Sequence, residues 1–236
     1  MSDTDDLDAQ VRRADPDRWL ASRFIADAKA RADVIALYAF NNELARAAEV
    51  ASQPLIGEMR LAWWREALEE MFEGRKVRGH PVAAALARAI GRRGLSREDL
   101  DALVDGRLRD LDGWPLRPDE VEGYLDATAG RLMSLAARVL APEAEHHDLS
   151  NAALAWGLSG LSRLPGRLPL EWSTTDIVRR VDHALIDAGP QLRALPVAAF
   201  PAVAYATLSR AYARDGRLSE LSRRLRLTAA VALGRI

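Results

Sequence analysis

Apolar residues recur at helical spacing along almost the whole chain, and this pattern constrains the fold more than any other feature. A β-sheet protein would show alternating β-branched runs joined by Asn-Gly or Asp-Gly turns, a combination that the sequence lacks. Between the breaks the chain consists mainly of Ala, Leu, Arg and Glu, which favour helix. The sequence therefore predicts an all-α fold.

Proline, glycine and capping residues divide the helical pattern into about nine or ten helices. Asp15-Pro16 and His80-Pro81 each place proline where a helix can begin. Ser96-Arg-Glu-Asp99 has the pattern of a capping box, which also predicts a helix start. Gly189-Pro190 predicts a break. No linker is long or polar enough to divide domains, so a single domain over residues 1–236 is expected.

Charge and composition exclude several classes of function. The chain has 33 basic and 34 acidic residues and a net charge of −1, so we expect no nucleic-acid partner. It contains no cysteine, which excludes disulfides and thiolate metal sites. The acidic N-terminus resembles no targeting peptide, and residues 1–14 are expected to be flexible. These features predict a cytoplasmic protein.

Some carboxylates are spaced four residues apart, which can present oxygens to one magnesium ion from adjacent helical turns. Such pairs also arise by chance on the solvent faces of a helical chain with 34 acids, and surface ion pairs are the alternative. The pairs are Asp101 with Asp105, Glu122 with Asp126, and Glu66 with Glu70.

The C-terminal stretch is rich in arginine. Leu218, Leu221 and Leu225 follow helical spacing, and three arginines project to their sides. Such a helix can lie on an anionic membrane or bind an acidic partner, and an ordinary packed helix with a basic outer face is the alternative. The arginines proposed for membrane or partner contact are Arg223, Arg224 and Arg226.

Three segments resemble the squalene/phytoene synthase family. Ala36–Arg46 is similar to the first signature helix of that family, and Tyr124–Gly130 and Ala155–Arg163 are similar to two later signatures. The order and spacing agree from about Asp15 to Glu171. The resemblance implies an isoprenoid-synthase-like helical bundle around a central cavity. Members of the family join two prenyl diphosphates head to head with the help of magnesium.

The carboxylates that this chemistry needs are missing from the matching positions. A diphosphate leaving group requires magnesium to neutralise its developing charge. The resemblance places the first acidic cluster at Ala45, Arg46 and Glu49, of which one is acidic. It places the second at Leu164, Arg167 and Leu168, none of them acidic, while Arg163 persists and Asn42 and Gly160 replace the family's arginine and asparagine. Catalysis and a cofactor are therefore not expected.

A narrower resemblance links the chain to the synthase-like assembly factor of mitochondrial respiratory complex I and its bacterial relatives. It rests on Ala39–Leu44, Ile56–Trp64 and His80–Val82. It implies a non-catalytic assembly factor or scaffold for respiratory complex I or a related membrane complex. The expected partner is a protein client such as a respiratory complex subunit, and the expected location is the cytoplasm, with peripheral contact at the inner membrane face.

The resemblance also implies a vestigial cavity that holds a lipid, an isoprenoid or a segment of the partner. One alternative is a prenyl transferase with displaced magnesium ligands, for which Asp101 and Asp105 are the substitutes, and another is a lipid or isoprenoid carrier. The residues expected to line the cavity in part are Asn41, Asn42, Glu43, Glu49 and Arg163.

Overall fold

The computed structural model describes residues 3–49, 53–77 and 79–236. Within these ranges the regular structure is helical and contains no strand, so the prediction of an all-α fold is confirmed. The chain forms two compact units, Met1–Gly113 and Trp114–Ile236, called the first and second units below.

The first unit is organised around one long helix, α3, against which α1, α4 and α5 pack. Nine consecutive residues of α3, from 33 to 41, are buried, so the helix is enclosed on all sides there. The helices are α1 (Asp3–Ala14), α2 (Pro16–Ser22), α3 (Ala28–Glu49), α4 (Pro54–Phe72), α5 (Pro81–Arg93) and α6 (Arg97–Gly106), with a 3₁₀ turn at Leu108–Leu111.

Local capping chemistry sets the ends of these helices where the sequence predicts them. The Asp15 side chain accepts a hydrogen bond from the backbone N–H of Arg18 at 3.2 Å and caps α2. Ser96 caps α6 by accepting from the N–H of Asp99 at 3.1 Å. Gly94 ends α5 in the left-handed conformation, with φ of 61°, which a residue without Cβ adopts at no steric cost.

The N-terminal segment contains the first helix of this unit. Asp3–Ala14 form α1, and its side chains Leu7 and Val11 are buried in the first unit. These two residues lie four apart on one face of the helix, which packs against α3.

A buried carboxylate joins α3 to α5. Asp33 is fully buried, and its oxygens accept hydrogen bonds from the guanidinium groups of Arg92 and Arg93 at the end of α5. The Arg93 Nε to Asp33 Oδ2 distance is 2.7 Å. A charge in this position requires such partners, because burial without them would cost several kcal/mol, on the order of a broken buried ion pair.

The second unit is built around α9, which packs against α7, α10 and α11. Its helical run from α7 to α8 is continuous but contains one π turn. The elements are α7 (Val121–Leu125), the π turn (Asp126–Gly130), α8 (Arg131–Leu140), α9 (Ser150–Ser162), α10 (Thr174–Arg193), α11 (Ser209–Asp215) and α12 (Glu220–Leu233), with 3₁₀ turns at Pro142–His146, Val197–Ala202 and Ala204–Leu208.

The predicted break at Gly189-Pro190 is wrong, because α10 continues to Arg193. Proline removes one backbone N–H, so the carbonyl four residues earlier, that of Ile186, loses its helical partner. Pro190 and Ile186 are both exposed, and water can satisfy that carbonyl. The helix therefore tolerates proline in its last turn.

Candidate functional site

The first unit contains an aromatic pocket of about 320 Å³. Side chains from the last turns of α3, from the middle of α4 and from the residue that precedes α5 converge on it. We call it the aromatic pocket throughout. It is lined by Glu43, Arg46, Ala47, Arg60, Trp63, Trp64 and His80.

Edge-to-face ring contacts build the wall of this pocket. Trp64 is buried, and its ring centroid lies 5.1 Å from that of Phe40 and 4.9 Å from that of Trp63. His80 completes the cluster at 5.2 Å from Trp64 and 5.5 Å from Trp63. These separations are those of favourable aromatic pairs, which fix ring orientation. The wall is therefore a rigid apolar surface.

The rim of the aromatic pocket carries arginine. Arg46 and Arg60 are exposed, and Arg46 lies 3.6 Å from Glu43 across one helical turn. Glu43 also accepts a hydrogen bond from Gln10 Nε2 of α1 at 2.8 Å. A second, wider pocket of about 570 Å³ shares Glu43, Arg46 and His80 and extends along α1. Glu43 is thus engaged by the protein, and both arginines face outward.

Two buried polar atoms near this end of α3 have no hydrogen-bond partner in the described structure, Nδ2 of Asn42 and Nδ1 of His80. His80 precedes α5 in an extended conformation, and its side chain does not cap the helix. The ring joins the tryptophans instead. A buried polar atom without a partner costs free energy, so a ligand that satisfies it gains affinity.

The residues that the sequence proposes for a cavity are distributed over different environments. Asn41 is buried, and its Oδ1 accepts from Arg107 Nη2 at 3.0 Å, so it joins α3 to the end of α6. Glu43 lines the aromatic pocket. Glu49 is exposed at the end of α3 and is not one of the lining residues. Arg163 belongs to the second unit, where its guanidinium stacks 4.0 Å above the ring of Tyr212.

Most of the residues that form the aromatic pocket are absent from the set that the sequence proposes. Arg60, Trp63, Trp64 and His80 were not proposed for the site, although they belong to two of the three segments that carry the narrower resemblance. The adjacent tryptophans are the signal that could have located it, because neighbouring positions on a helix point about 100° apart and one of the two tends to reach a groove.

Magnesium, which the family resemblance implies, does not fit the residues at the end of α3. The ion prefers several oxygen ligands in octahedral geometry. At this position Arg46 places a guanidinium beside Glu43, whose carboxylate already accepts a hydrogen bond from Gln10. Across the described residues, no group of three or more His, Cys, Asp or Glu side chains could hold a metal ion.

The second position that the resemblance assigns to a magnesium site has no better donors. Arg167 stacks 4.0 Å above the ring of Trp114, and Leu168 is buried in the core of the second unit. Leu164 is half exposed. Neither a stacked guanidinium nor two leucines can ligate magnesium.

The substitutes proposed for displaced ligands, Asp101 and Asp105, form surface ion pairs. Asp101 pairs with Arg97 one helical turn earlier at 3.1 Å, and Asp105 pairs with Arg65 of α4. Asp105 is more than half exposed. Among the described residues neither aspartate belongs to a group of three or more side chains that could hold a metal ion, so their positions give the transferase alternative no support.

Exposed apolar side chains lie on the same helix as the tryptophans. Leu55 and Met59 of α4 are each more than 60% exposed, and Ile56 beside them is 37% exposed. Met59 lies one turn before Trp63. Apolar surface of this kind beside a rigid aromatic wall and two arginines has the composition of a protein-binding site.

In the described part of the chain, no helix has both the length and the apolar character needed to cross a membrane.

Known proteins of two kinds are similar to this chain. The "NADH dehydrogenase (ubiquinone) complex I, assembly factor 6" of rat is 34% identical over 139 residues, which are 58% of this chain and 41% of that protein. The mouse and human proteins of the same name are each 32% identical over the same length. The chain thus spans about two-fifths of the length of these relatives. The narrower resemblance that the sequence indicates is confirmed.

Two solved structures share the fold. A dehydrosqualene synthase in complex with ligand superposes with a TM-score of 0.78 at 15% identity, covering 98% of this chain and 96% of that one. Squalene synthase HpnC from Alicyclobacillus acidocaldarius superposes with a TM-score of 0.66 at 16% identity, covering 98% and 94%. The isoprenoid-synthase-like fold is confirmed. Residues 11–167 match the family model for squalene/phytoene synthase, and the chain belongs to that family.

Proposed function

We propose that this chain is a non-catalytic assembly factor for respiratory complex I or a related membrane complex. A protein client, such as a subunit of that complex, is the partner. The similarity to relatives named complex I assembly factor 6 supports this proposal. The proposed location is the cytoplasm, with peripheral contact at the inner face of the membrane that holds the complex.

The observation that carries the proposal is the chemistry of the aromatic pocket. In its rim an arginine, Arg46, occupies a position that the family resemblance assigns to a magnesium ligand, and it pairs with Glu43. A site of this charge cannot collect the metal that would ionise a diphosphate. The same arginine can pair with a carboxylate of a protein segment.

The surroundings of the pocket match a protein client better than a small substrate. Tryptophan and arginine are the residue types that most often dominate binding energy at protein interfaces. Here Trp63 and Arg60 lie at the pocket, with the exposed Leu55, Ile56 and Met59 on the same helix. We infer that the client offers an apolar side chain to the aromatic wall and a carboxylate to the arginines.

The proposal is tested by deleting the gene in the organism that encodes the chain and measuring assembled complex I on native gels, together with NADH dehydrogenase activity in membranes. The wild-type chain is expected to restore the complex. Arg60→Glu is expected not to restore it, because it reverses a charge at the rim. Lys76→Glu is the matched control, since Lys76 is exposed in the same unit and lies outside the pocket lining.

The amount of each variant in the cell must also be measured, because the comparison is valid only if both variants accumulate to the same level as the wild-type chain. Normal complex I in the deletion strain would contradict the proposal. So would binding of a farnesyl diphosphate analogue by the purified protein that depends on magnesium, measured by isothermal titration. Magnesium-independent binding of that analogue would favour a lipid or isoprenoid carrier instead.

A further inference from the structure

The outer face of α12 carries a row of exposed leucines. Leu221, Leu225 and Leu233 are each more than 60% exposed, and the small residues between them on this face are exposed as well. The opposite face is the one that packs on the second unit, through the buried Leu227 and Ala230. The helix is therefore anchored on one side and presents an apolar stripe on the other.

Arginines border this stripe on both sides. Arg224 precedes Leu225 by one residue and Arg226 follows it by one, so their side chains project about 100° to either side of it. Both are exposed. Arg223 is different, since it shares the face of the buried Leu227 and is only partly exposed. Of the three arginines expected to make contact, two therefore lie where a partner can reach them.

Negative charge is nearly absent from this part of the chain. Residues 217–236 contain five arginines and one acidic residue, Glu220, which is already paired with Arg224. No Asp or Glu occurs from 221 to the last residue, Ile236. The chain as a whole has a net charge of −1, so the positive charge here is a local property of α12 and its flanks.

We propose that α12 binds the surface of a membrane that contains anionic lipids, an inference that rests on the peripheral membrane contact in the proposed function and names the helix that makes it. The helix would lie in the plane of the interface, with the leucines in the boundary between headgroups and acyl chains. Arg224 and Arg226 would extend from the edges of the stripe to lipid phosphates, while their methylene groups cover apolar surface. Helix α12 is about 21 Å long by its rise per residue, which gives a contact suited to reversible binding.

A lipid surface explains the arrangement better than an acidic protein does. The three leucines are exposed along α12, and a flat apolar boundary can accept all of them at once. An acidic protein would be attracted by the arginines but would gain nothing specific from leucines spaced along the full helix. The combination of leucine stripe and bordering arginines is the pattern of helices that bind at membrane interfaces.

The test is flotation of the full purified chain with vesicles of phosphatidylcholine, with and without phosphatidylglycerol. We expect binding to the anionic vesicles, weakened by salt, and little binding to the neutral ones. The double variant Leu221→Gln/Leu225→Gln is expected to lower the partition coefficient about tenfold or more. The double variant Arg224→Gln/Arg226→Gln is expected to lower it about fivefold for each arginine.

Matched controls separate α12 from the rest of the surface. Leu170→Gln replaces a leucine that is 82% exposed elsewhere in the second unit, and Arg193→Gln replaces an exposed arginine at the end of α10. Both controls are expected to bind vesicles like the wild-type chain. All of these side chains are exposed, so circular dichroism and melting temperature should be unchanged.

Three results would overturn the proposal. The first is no binding of the wild-type chain to anionic vesicles, and the second is equal losses in the controls and the α12 variants. The third is that the wild-type chain binds no vesicles but is retained on an immobilised polyglutamate matrix, and that the double arginine variant is not retained. This result would assign α12 to an acidic protein partner. None of these results bears on the client pocket of the first unit, which is tested separately.

Discussion

The sharpest stability prediction concerns two glycines of α9 that lie three residues apart. A Cβ added at Gly157 would lie 2.5 Å from Cδ2 and 3.1 Å from Cγ of Leu125, closer than carbon atoms can approach. A Cβ added at Gly160 would meet nothing within 4 Å. Neither glycine has positive φ, so alanine is compatible with the backbone at both positions. The two substitutions therefore differ mainly in packing.

The expected magnitude follows from two opposing effects. Alanine in place of glycine inside a helix stabilises by up to about 1 kcal/mol, and this gain applies to both variants. Overpacking of a core costs about 1–3 kcal/mol, and it applies to Gly157→Ala alone. Leu125 cannot rotate away easily, because it is buried among Val121, Tyr124 and Leu158. We expect Gly160→Ala to stabilise and Gly157→Ala to destabilise, with a difference of about 1–3 kcal/mol.

Urea unfolding followed by circular dichroism measures this difference, with the slope of the transition checked for each variant. Thermal melting gives a second estimate, at several degrees per kcal/mol for a unit of this size. Equal midpoints for the two variants would refute the reasoning, because the helix-propensity gain is common to both. A second variant, Gly157→Ala combined with Leu125→Ala, should recover part of the overpacking cost, and additive losses would also contradict the close contact.

Three further predictions test other parts of the structure. Asp33→Asn should destabilise by about 1–3 kcal/mol in urea unfolding, because the two arginines of α5 lose a buried charged acceptor, and an unchanged midpoint would refute that role. Ser173 holds the pKa of Asp176 below its ordinary value of 3.8 by a side-chain hydrogen bond. The stability that Ser173→Ala removes should therefore be fully present at neutral pH and shrink as pH falls below that value. Melting curves of the wild-type chain and the variant across pH measure this difference. Leu227→Ala should cost about 2–5 kcal/mol and Leu225→Ala less than about 0.5 kcal/mol, and the reverse order would mean that α12 is rotated on its unit.

The helix boundaries that the sequence predicts correctly are those fixed by local chemistry. Ser96 and Asp15 cap their helices through side-chain oxygens within three residues, and Gly94 supplies a left-handed conformation. Contacts with distant parts of the chain are harder to predict. Leu7 and Val11 are buried, and α1 packs against a helix that begins 17 residues after Val11, so the sequence of α1 alone does not indicate this contact.

The candidate site was less predictable than the fold for the same physical reason. Glu43 could be proposed from the family resemblance, because it lies within a signature helix. The approach of His80 to Trp63 and Trp64 depends on how α4 and α5 pack against α3, which no spacing along the chain encodes. On α12, helical spacing indicates that some leucines share a face, but the packing of the unit decides that Leu227 is buried and Leu225 exposed.

Arginine accompanies one of the acidic pairs that helical spacing suggested as magnesium ligands. A magnesium site needs carboxylates that no protein cation has already neutralised, because the ion must repay the loss of its own hydration. This chain carries 33 basic residues against 34 acidic ones, and two of the carboxylates that spacing had suggested are paired with arginine: Asp101 with Arg97, and Asp105 with Arg65. At the aromatic pocket the same principle operates inside the family's signature helix, where Arg46 pairs with Glu43. Replacing Arg46 with a carboxylate would therefore be the first step back toward a metal site, and the single change Arg46→Asp should be insufficient, because Gln10 still engages Glu43 and Arg60 remains at the rim.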